Sequence, residues 1–308
     1  MIDFRYHLVS LISVFMALAV GVVLGAGPLQ GSLGNALADQ VDSLSATKAA
    51  TQSQLEKTET AVNQRDTYIA QAAQDYLPGS LTNHHVVLVL LPGAQGEDVD
   101  VVAQELETAS ASVVGRVTLT QAWEDPGRET FRNTYAGQFS AYLPSSAGAA
   151  TGNEALGQGL AVALTSNDPN ADALTDLLTA SDSPLLSGKP DLSEPADMIV
   201  IVGPHADVDS DAIPSPSPDE DPNAWTAAVK GINSIAATVV LGSAVNDNDL
   251  ISLLRQGDSQ VTTIDSVGQM PSAVSVPLAL ASMRTEGKRA YGFASSATAV
   301  MPPLPGKN

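Results

Sequence analysis

His85-Val86-Val87-Leu88-Val89-Leu90-Leu91, closed by Pro92-Gly93, is a continuous apolar run rather than an alternating one. A strand with one wet face alternates, so a run of this kind suits a strand buried on both faces. The pattern returns at Met198-Ile199-Val200-Ile201-Val202, closed by Gly203-Pro204, and in shorter form at residues 113–119, 238–241 and 261–264. Between these runs lie helical stretches at 98–109, 127–142, 153–164, 172–178, 223–236, 248–255 and 272–284. Strands alternating with helices make βαβ units with right-handed crossovers. The sequence therefore predicts a Rossmann-like three-layer α/β domain over 80–308, with a mostly parallel sheet of five strands.

Outward from this domain toward the N-terminus, the character of the chain changes twice. Residues 30–79 hold a stretch from Leu37 to Tyr76 with no Gly or Pro before Pro78-Gly79. With position a at Val41, Lys48, Leu55, Val62, Ile69 and Tyr76, position d falls at Leu37, Leu44, Thr51, Thr58, Arg65 and Ala72. A repeat of 3.5 residues favours a coiled coil. The polar d positions favour instead a long helix lying on its own domain. The predicted seam is Leu37, Val41, Leu44, Leu55, Val62, Ile69 and Tyr76, about 60 Å long at helical rise.

Before it, Leu8 to Ala26 is nineteen residues without a charge, about 28 Å as a helix and close to the hydrocarbon thickness of a bilayer. Residues 1–29 thus read as a cytoplasmic stub and transmembrane anchor. Arg5 and His7 precede the span and the next basic residue is Lys48, which predicts a cytoplasmic N-terminus and an extracytoplasmic bulk. A cleaved signal peptide is the rival reading, since Ala36-Leu37-Ala38 is an A-x-A site. Its distance beyond the apolar run, and the length of that run, favour an uncleaved anchor. Ala17, Gly21 and Gly25 share one face of the span and include a G-x-x-x-G, which lets two helices approach closely. A parallel homodimer, or a hetero-complex with another membrane protein, follows from that face and the seam together.

Composition narrows function by exclusion. With 14 basic and 34 acidic residues the chain carries −20, all of it beyond the first 29 residues. Such a surface repels nucleic acid and anionic lipid. The absence of cysteine rules out disulfides and thiolate metal sites.

Sites of chemistry are sparse. The first strand-to-helix turn, Leu90 to Asp98, has Gly93 and Gly96 but neither a G-x-G-x-x-G nor a P-loop. Glu97 and Asp98 would already occupy the positive end of the following helix. No nucleophile elbow follows a strand, and Ser45-Ala46-Thr47-Lys48 falls within the helical spacer. Asp247 and Asp249 read as helix caps. Asp207-Val208-Asp209-Ser210-Asp211 begins like a calcium loop but lacks the Gly and Glu that would complete it. His84, His85 and His205 are the candidate metal ligands. The first two are adjacent at a strand start and point to opposite sides, and His205 stands at the other end of a parallel neighbour. No cofactor and no catalytic residue is expected, and the chain reads as non-enzymatic.

The opening MIDFRYHLVSLISVFMALAVGVVLGAGPL, followed by the helical spacer and an acidic α/β domain, resembles the actinobacterial copper transporter family. That family comprises mycobacterial copper transporter B and SteB-like envelope proteins. The resemblance implies either copper efflux and tolerance or a role in cell division. In the latter, members pair with a membrane partner and control a peptidoglycan hydrolase through the coiled coil. It transfers no catalytic or ligand motif onto particular residues. A pore needs several spans or a closed barrel, and one span whose polar residues are Ser10 and Ser13 supplies neither alone. These residues favour a coiled-coil scaffold or regulator, with copper homeostasis as the alternative.

Overall fold

A computed structural model of the 308-residue chain describes residues 4–26, 28–180, 184–206, 221–257, 260–286 and 289–305. The acidic stretch that includes Asp207 to Asp211 lies outside them. The chain divides into two units, the first ending at Arg65 and the second beginning at Asp66.

The described residues of the first unit are all helical. Helix α1 (Phe4–Ala26) is long and apolar enough to cross a membrane, and none of its apolar window is buried by the protein itself. A helix suits that environment because it pairs its backbone groups internally. Ser13 Oγ likewise donates back to the Val9 carbonyl at 2.9 Å. Helix α2 (Pro28–Tyr76) opens on a proline at its first position, where the missing N–H costs nothing. It runs on through Ala, Gln, Lys, Glu and Leu, all good helix formers. Thr47, Thr51 and Thr58 return their hydroxyls to carbonyls four residues back.

The second unit is an α/β body. Its strands are β1 (His85–Leu90), β2 (Ser112–Thr118), β3 (Met198–Val202), β4 (Ala237–Leu241), β5 (Thr262–Ile264) and β6 (Ala290–Tyr291). They form one six-stranded sheet in the order β2-β1-β3-β4-β5-β6, and every pair is parallel. Helices α3 (Gly96–Thr108) and α9 (Met270–Glu286) pack together in the layer built on Val86, Leu88, Val200 and Val239. Helices α5 (Gly152–Thr165), α7 (Pro222–Ile235) and α8 (Leu250–Gln256) cover the other face, over Val87, Val89, Ile199 and Val240, and α4 (Glu129–Phe139) and α6 (Pro169–Thr179) pack on α5. Each central strand is buried on both faces, which is why the apolar runs are unbroken. Strand order reverses between β1 and β3, the place where sheets of this kind open a crevice at their carboxyl ends.

Two close approaches depend on glycine. A Cβ at Gly157 would stand 2.1 Å from the Ala228 carbonyl oxygen, and one at Gly231 2.0 Å from that of Glu154, so α5 and α7 cross nearly backbone to backbone. At the sheet edge, a Cβ on Gly115 of β2 would meet Leu192 at 2.4 Å. The segment around Leu192 runs along this edge: Ser187 and Ser193 donate to the Thr118 and Val114 carbonyls. The exposed edge that invites aggregation is thereby covered.

At the opposite edge a buried ion pair secures β5 and β6. Arg255 Nη1 lies 2.9 Å from Asp265 Oδ2, with side chains 6% and 2% exposed. Arg255 also donates to Thr263 Oγ1 and to the Tyr291 carbonyl. Asp265 accepts from Ser266 Oγ and the Phe293 and Ala294 amides. Burial pushes the Asp265 carboxyl up, but these hydrogen bonds outweigh it and hold the group below its ordinary value.

The structure departs from the sequence reading in four places. The sheet has a sixth strand, β6, after which the chain turns back so that Gly292 donates to the Ala299 carbonyl. The packed body begins at Asp66 rather than after Pro78-Gly79, because Ala73 and Leu77 of α2 are fully buried in its core. The helical stretch read at 127–142 breaks into a 3-10 turn, Pro126–Arg128, followed by α4. Asp249 stands at the N-cap of α8 but makes no capping bond there. Its carboxylate instead accepts from Ser243 Oγ and the Val245 and Asn246 amides, fastening the β4–α8 loop.

Candidate functional site

The three candidate histidines occupy two ends of the sheet. His84 and His85 open β1, and the parallel register that sets Val86 against Met198 brings Asp197 beside them. Asp197 serves both residues: Oδ2 lies 2.6 Å from His84 Nδ1, and Oδ1 accepts from the His85 amide at 2.7 Å. His85 Nδ1 is 3.2 Å from Glu194 Oε2. A carboxylate can only accept, so the 2.6 Å contact to Asp197 has His84 Nδ1 as its donor, which leaves Nε2 of that ring outside this bond. Metal-binding histidines are commonly held this way, one nitrogen on a carboxylate and the other free for the ion. The His84 and His85 side chains are 18% and 36% exposed.

His205 sits at the carboxyl end, just past β3. Its Nε2 is 2.5 Å from Oδ2 of Asp98, in the first turn of α3. The ring rests against Gly268, where φ is +85° and a Cβ would stand 2.4 Å from His205 Cε1. Beside it opens a cavity of about 460 Å³, lined in part by His205, Ser243, Ser266, Gln269 and Phe293. The length of β3, about 16 Å for its five residues, separates this end from the His84–His85 pair, so the three imidazoles do not meet at one ion. Among the described residues no three His, Asp or Glu side chains converge as a metal cage.

The predicted seam divides along α2. Leu37, Val41, Leu44 and Leu55 are 57% to 62% exposed, and Val62 is 37% exposed. Ile69 and Tyr76 are half-buried against the core of the body, so the last turns of α2 are already occupied. On α1, Ala17, Gly21 and Gly25 are all exposed, and nothing lies within 4 Å of a Cβ built on either glycine. Sequence reasoning missed the carboxylates that hold the histidines. Asp197 carries a faint signal, standing directly before an apolar strand; Glu194 and Asp98 carry none, because only the packing of separate segments brings them to the rings.

An apolar helix able to cross a membrane, joined to a parallel α/β body with carboxylate-held histidines, defines a membrane-associated α/β protein. The chain belongs to the family described as "Copper transport outer membrane protein, MctB", whose sequence profile matches residues 1–302. It is 31% identical over 186 residues to the copper transporter MctB of Mycobacterium bovis and to that of Mycobacterium tuberculosis. That match covers 56% of this chain and 55% of each relative, so the chain spans about half the length of the curated relatives it matches.

Proposed function

We propose that this protein acts in copper homeostasis at the cell envelope. In this reading it is a single-span, non-enzymatic membrane protein with its N-terminus in the cytoplasm and its Rossmann-like body outside. The observation that carries the reading is the family match over residues 1–302. The His84–His85 edge supports it chemically: each imidazole, lying beside a carboxylate and on its own side of the strand, offers a nitrogen of the kind that suits Cu(II) better than Cu(I), which seeks thiolate or clustered thioether. The chain presents copper rather than conducting it. The one span among the described residues does not line a pore by itself, and the six described strands form an open parallel sheet clothed by helices on both faces.

The test is titration of the detergent-solubilised full chain with Cu(II) and Cu(I). Binding near micromolar or tighter, lost on substituting His84 and His85 by Ala and kept on substituting His205, is the expected result. Absence of binding, or binding indifferent to all three substitutions, overturns the copper contact.

A second reading has one observation in its favour, the exposed apolar row on α2. Leu37, Val41, Leu44, Leu55 and Val62 suit a parallel coiled coil with a second copy or with another membrane protein, aided by Ala17, Gly21 and Gly25. In that role the protein is a scaffold for cell-wall hydrolase control. The family description favours copper transport over this role, and the two are compatible if pairing positions the copper-binding edge.

A further inference from the structure

The body contains a buried carboxyl that the copper reading does not use. Glu105 of α3 is 4% exposed, and its Oε2 meets no hydrogen-bond partner. It shares a helix face with Val102 and Ala109, spaced three and four residues away. The end of α2 and the turn after it cover that region. Ala73, Leu77 and Leu81 are buried in one cluster with Val102 and Ala109, with Ile69 and Tyr76 packed against it. Leu81 donates its amide to the Ala109 carbonyl at 2.9 Å, and Gly79 donates to Ser110 Oγ at 3.1 Å.

Among the described residues no cation forms an ion pair with Glu105, and burial is the only influence on its carboxyl. From α2 the titratable neighbour is the Tyr76 phenol, pushed up first by burial and then by the Glu105 charge. Asp66 of α2 lies with Asp98, Val101 and Val102 around a separate cavity, and Asp75 is exposed. Residues 270–283 of α9 include no ionisable side chain. His85 of β1 is taken by Glu194, Arg116 of β2 by Asp100, and His84 by Asp197. Burial therefore acts on Glu105 without an opposing charge and pushes its carboxyl above the ordinary value.

We propose that Glu105 is a proton-operated latch on the last turns of α2. The neutral carboxyl leaves Ile69, Ala73, Tyr76 and Leu77 docked on α3, and ionisation loosens them. The direction follows from linkage. A carboxyl with a raised folded-state pKa contributes its stability below the unfolded value and loses it as pH rises through the folded one. The latch is thus closed in acid and opens toward alkaline pH, while the sheet, which lacks this group, stays intact.

Hydrogen exchange of the full chain in detergent tests this, comparing residues 66–77 with β3 and β4 between about pH 5 and pH 9 after correction for intrinsic rates. Protection of 66–77 is expected to fall about tenfold or more with rising pH while β3 and β4 hold steady. Glu105→Gln should keep protection high throughout. If that variant fails to fold, Glu105→Met replaces the carboxyl by an apolar group of similar length and is held to the same expectation. A profile shared by wild type and either folded variant, or loss of protection in β3 and β4 in parallel, overturns the latch. So does a wild-type profile flat across the range.

Discussion

Gly231 and Gly25 are both small residues on a helix face, and they meet opposite surroundings. A side chain on Gly231 would collide with the backbone of α5 at 2.0 Å, whereas Gly25 has nothing within 4 Å. The contrast extends to the regions that hold them. Before Asp66 every side chain whose burial is described is exposed; after it lie two apolar clusters and a buried Arg255–Asp265 pair. Spacing of small residues thus announces a close approach without naming the partner. The α/β body supplies its own, in α5 against α7, and α1 presents an equivalent face to its surroundings.

Substitutions can break this contrast in order of expected effect. Arg255→Ala leaves Asp265 charged and buried without its partner, and a loss of about 3–5 kcal/mol is expected in thermal unfolding followed by circular dichroism. An unchanged midpoint would show that the network does not hold β5 and β6. The Asp265 pKa is depressed, so its stabilisation is present above the unfolded value and disappears as pH falls through the folded one. Asp265→Asn should accordingly flatten the acid limb of the stability profile.

Gly231→Val comes next, at about 1–3 kcal/mol or more for an overpacked crossing. Trp123 and Trp225 are the chain's two tryptophans and stack with centroids 5.8 Å apart. Since Trp225 lies on α7, their fluorescence should shift when the crossing opens. Retention of the native spectrum and midpoint would mean that α5 and α7 can separate at little cost.

Gly25→Ile inverts the expectation. The body should unfold within about 0.5 kcal/mol of wild type, but self-association of α1 in a membrane reporter should weaken. Equal association would remove Ala17, Gly21 and Gly25 as a pairing face. The smallest effect is expected for Leu55→Ser on α2, silent in body stability and visible only as a lower mass by light scattering in mild detergent. A lower unfolding midpoint would instead place Leu55 against the body.

Much of this architecture is legible in the chain. The runs at His85–Leu91 and Met198–Val202 mark doubly buried strands, the first ending one residue earlier at Leu90, because continuous apolar runs have few other places to go. The last strand was not legible: Ala290–Tyr291 is too short for any periodicity and exists because Thr263 and Asp265 offer it an edge. The seam was legible only in part. Ile69 and Tyr76 fit the heptad as well as Leu55 does, and period alone cannot distinguish a partner helix from the protein's own core. At the candidate site the histidines stood out by residue type, but Asp197, Glu194 and Asp98 lie 107 to 113 positions away from the rings they hold and could not be assigned.

What the sequence determined alone is whatever depends on the length and periodicity of a local run: an apolar helix long enough to cross a bilayer, a helical spacer, and strands separated by helices. What the tertiary structure decided is whatever depends on contacts between distant segments: the sixth strand, the boundary at Asp66, the glycine crossing, the Arg255–Asp265 pair, the unbonded Oε2 of Glu105 and the carboxylates beside His84, His85 and His205. The physical reason is range. Hydrophobic periodicity is set within a few residues, while hydrogen bonds and charge pairs form only where the packed sheet brings separated residues within about 3 Å.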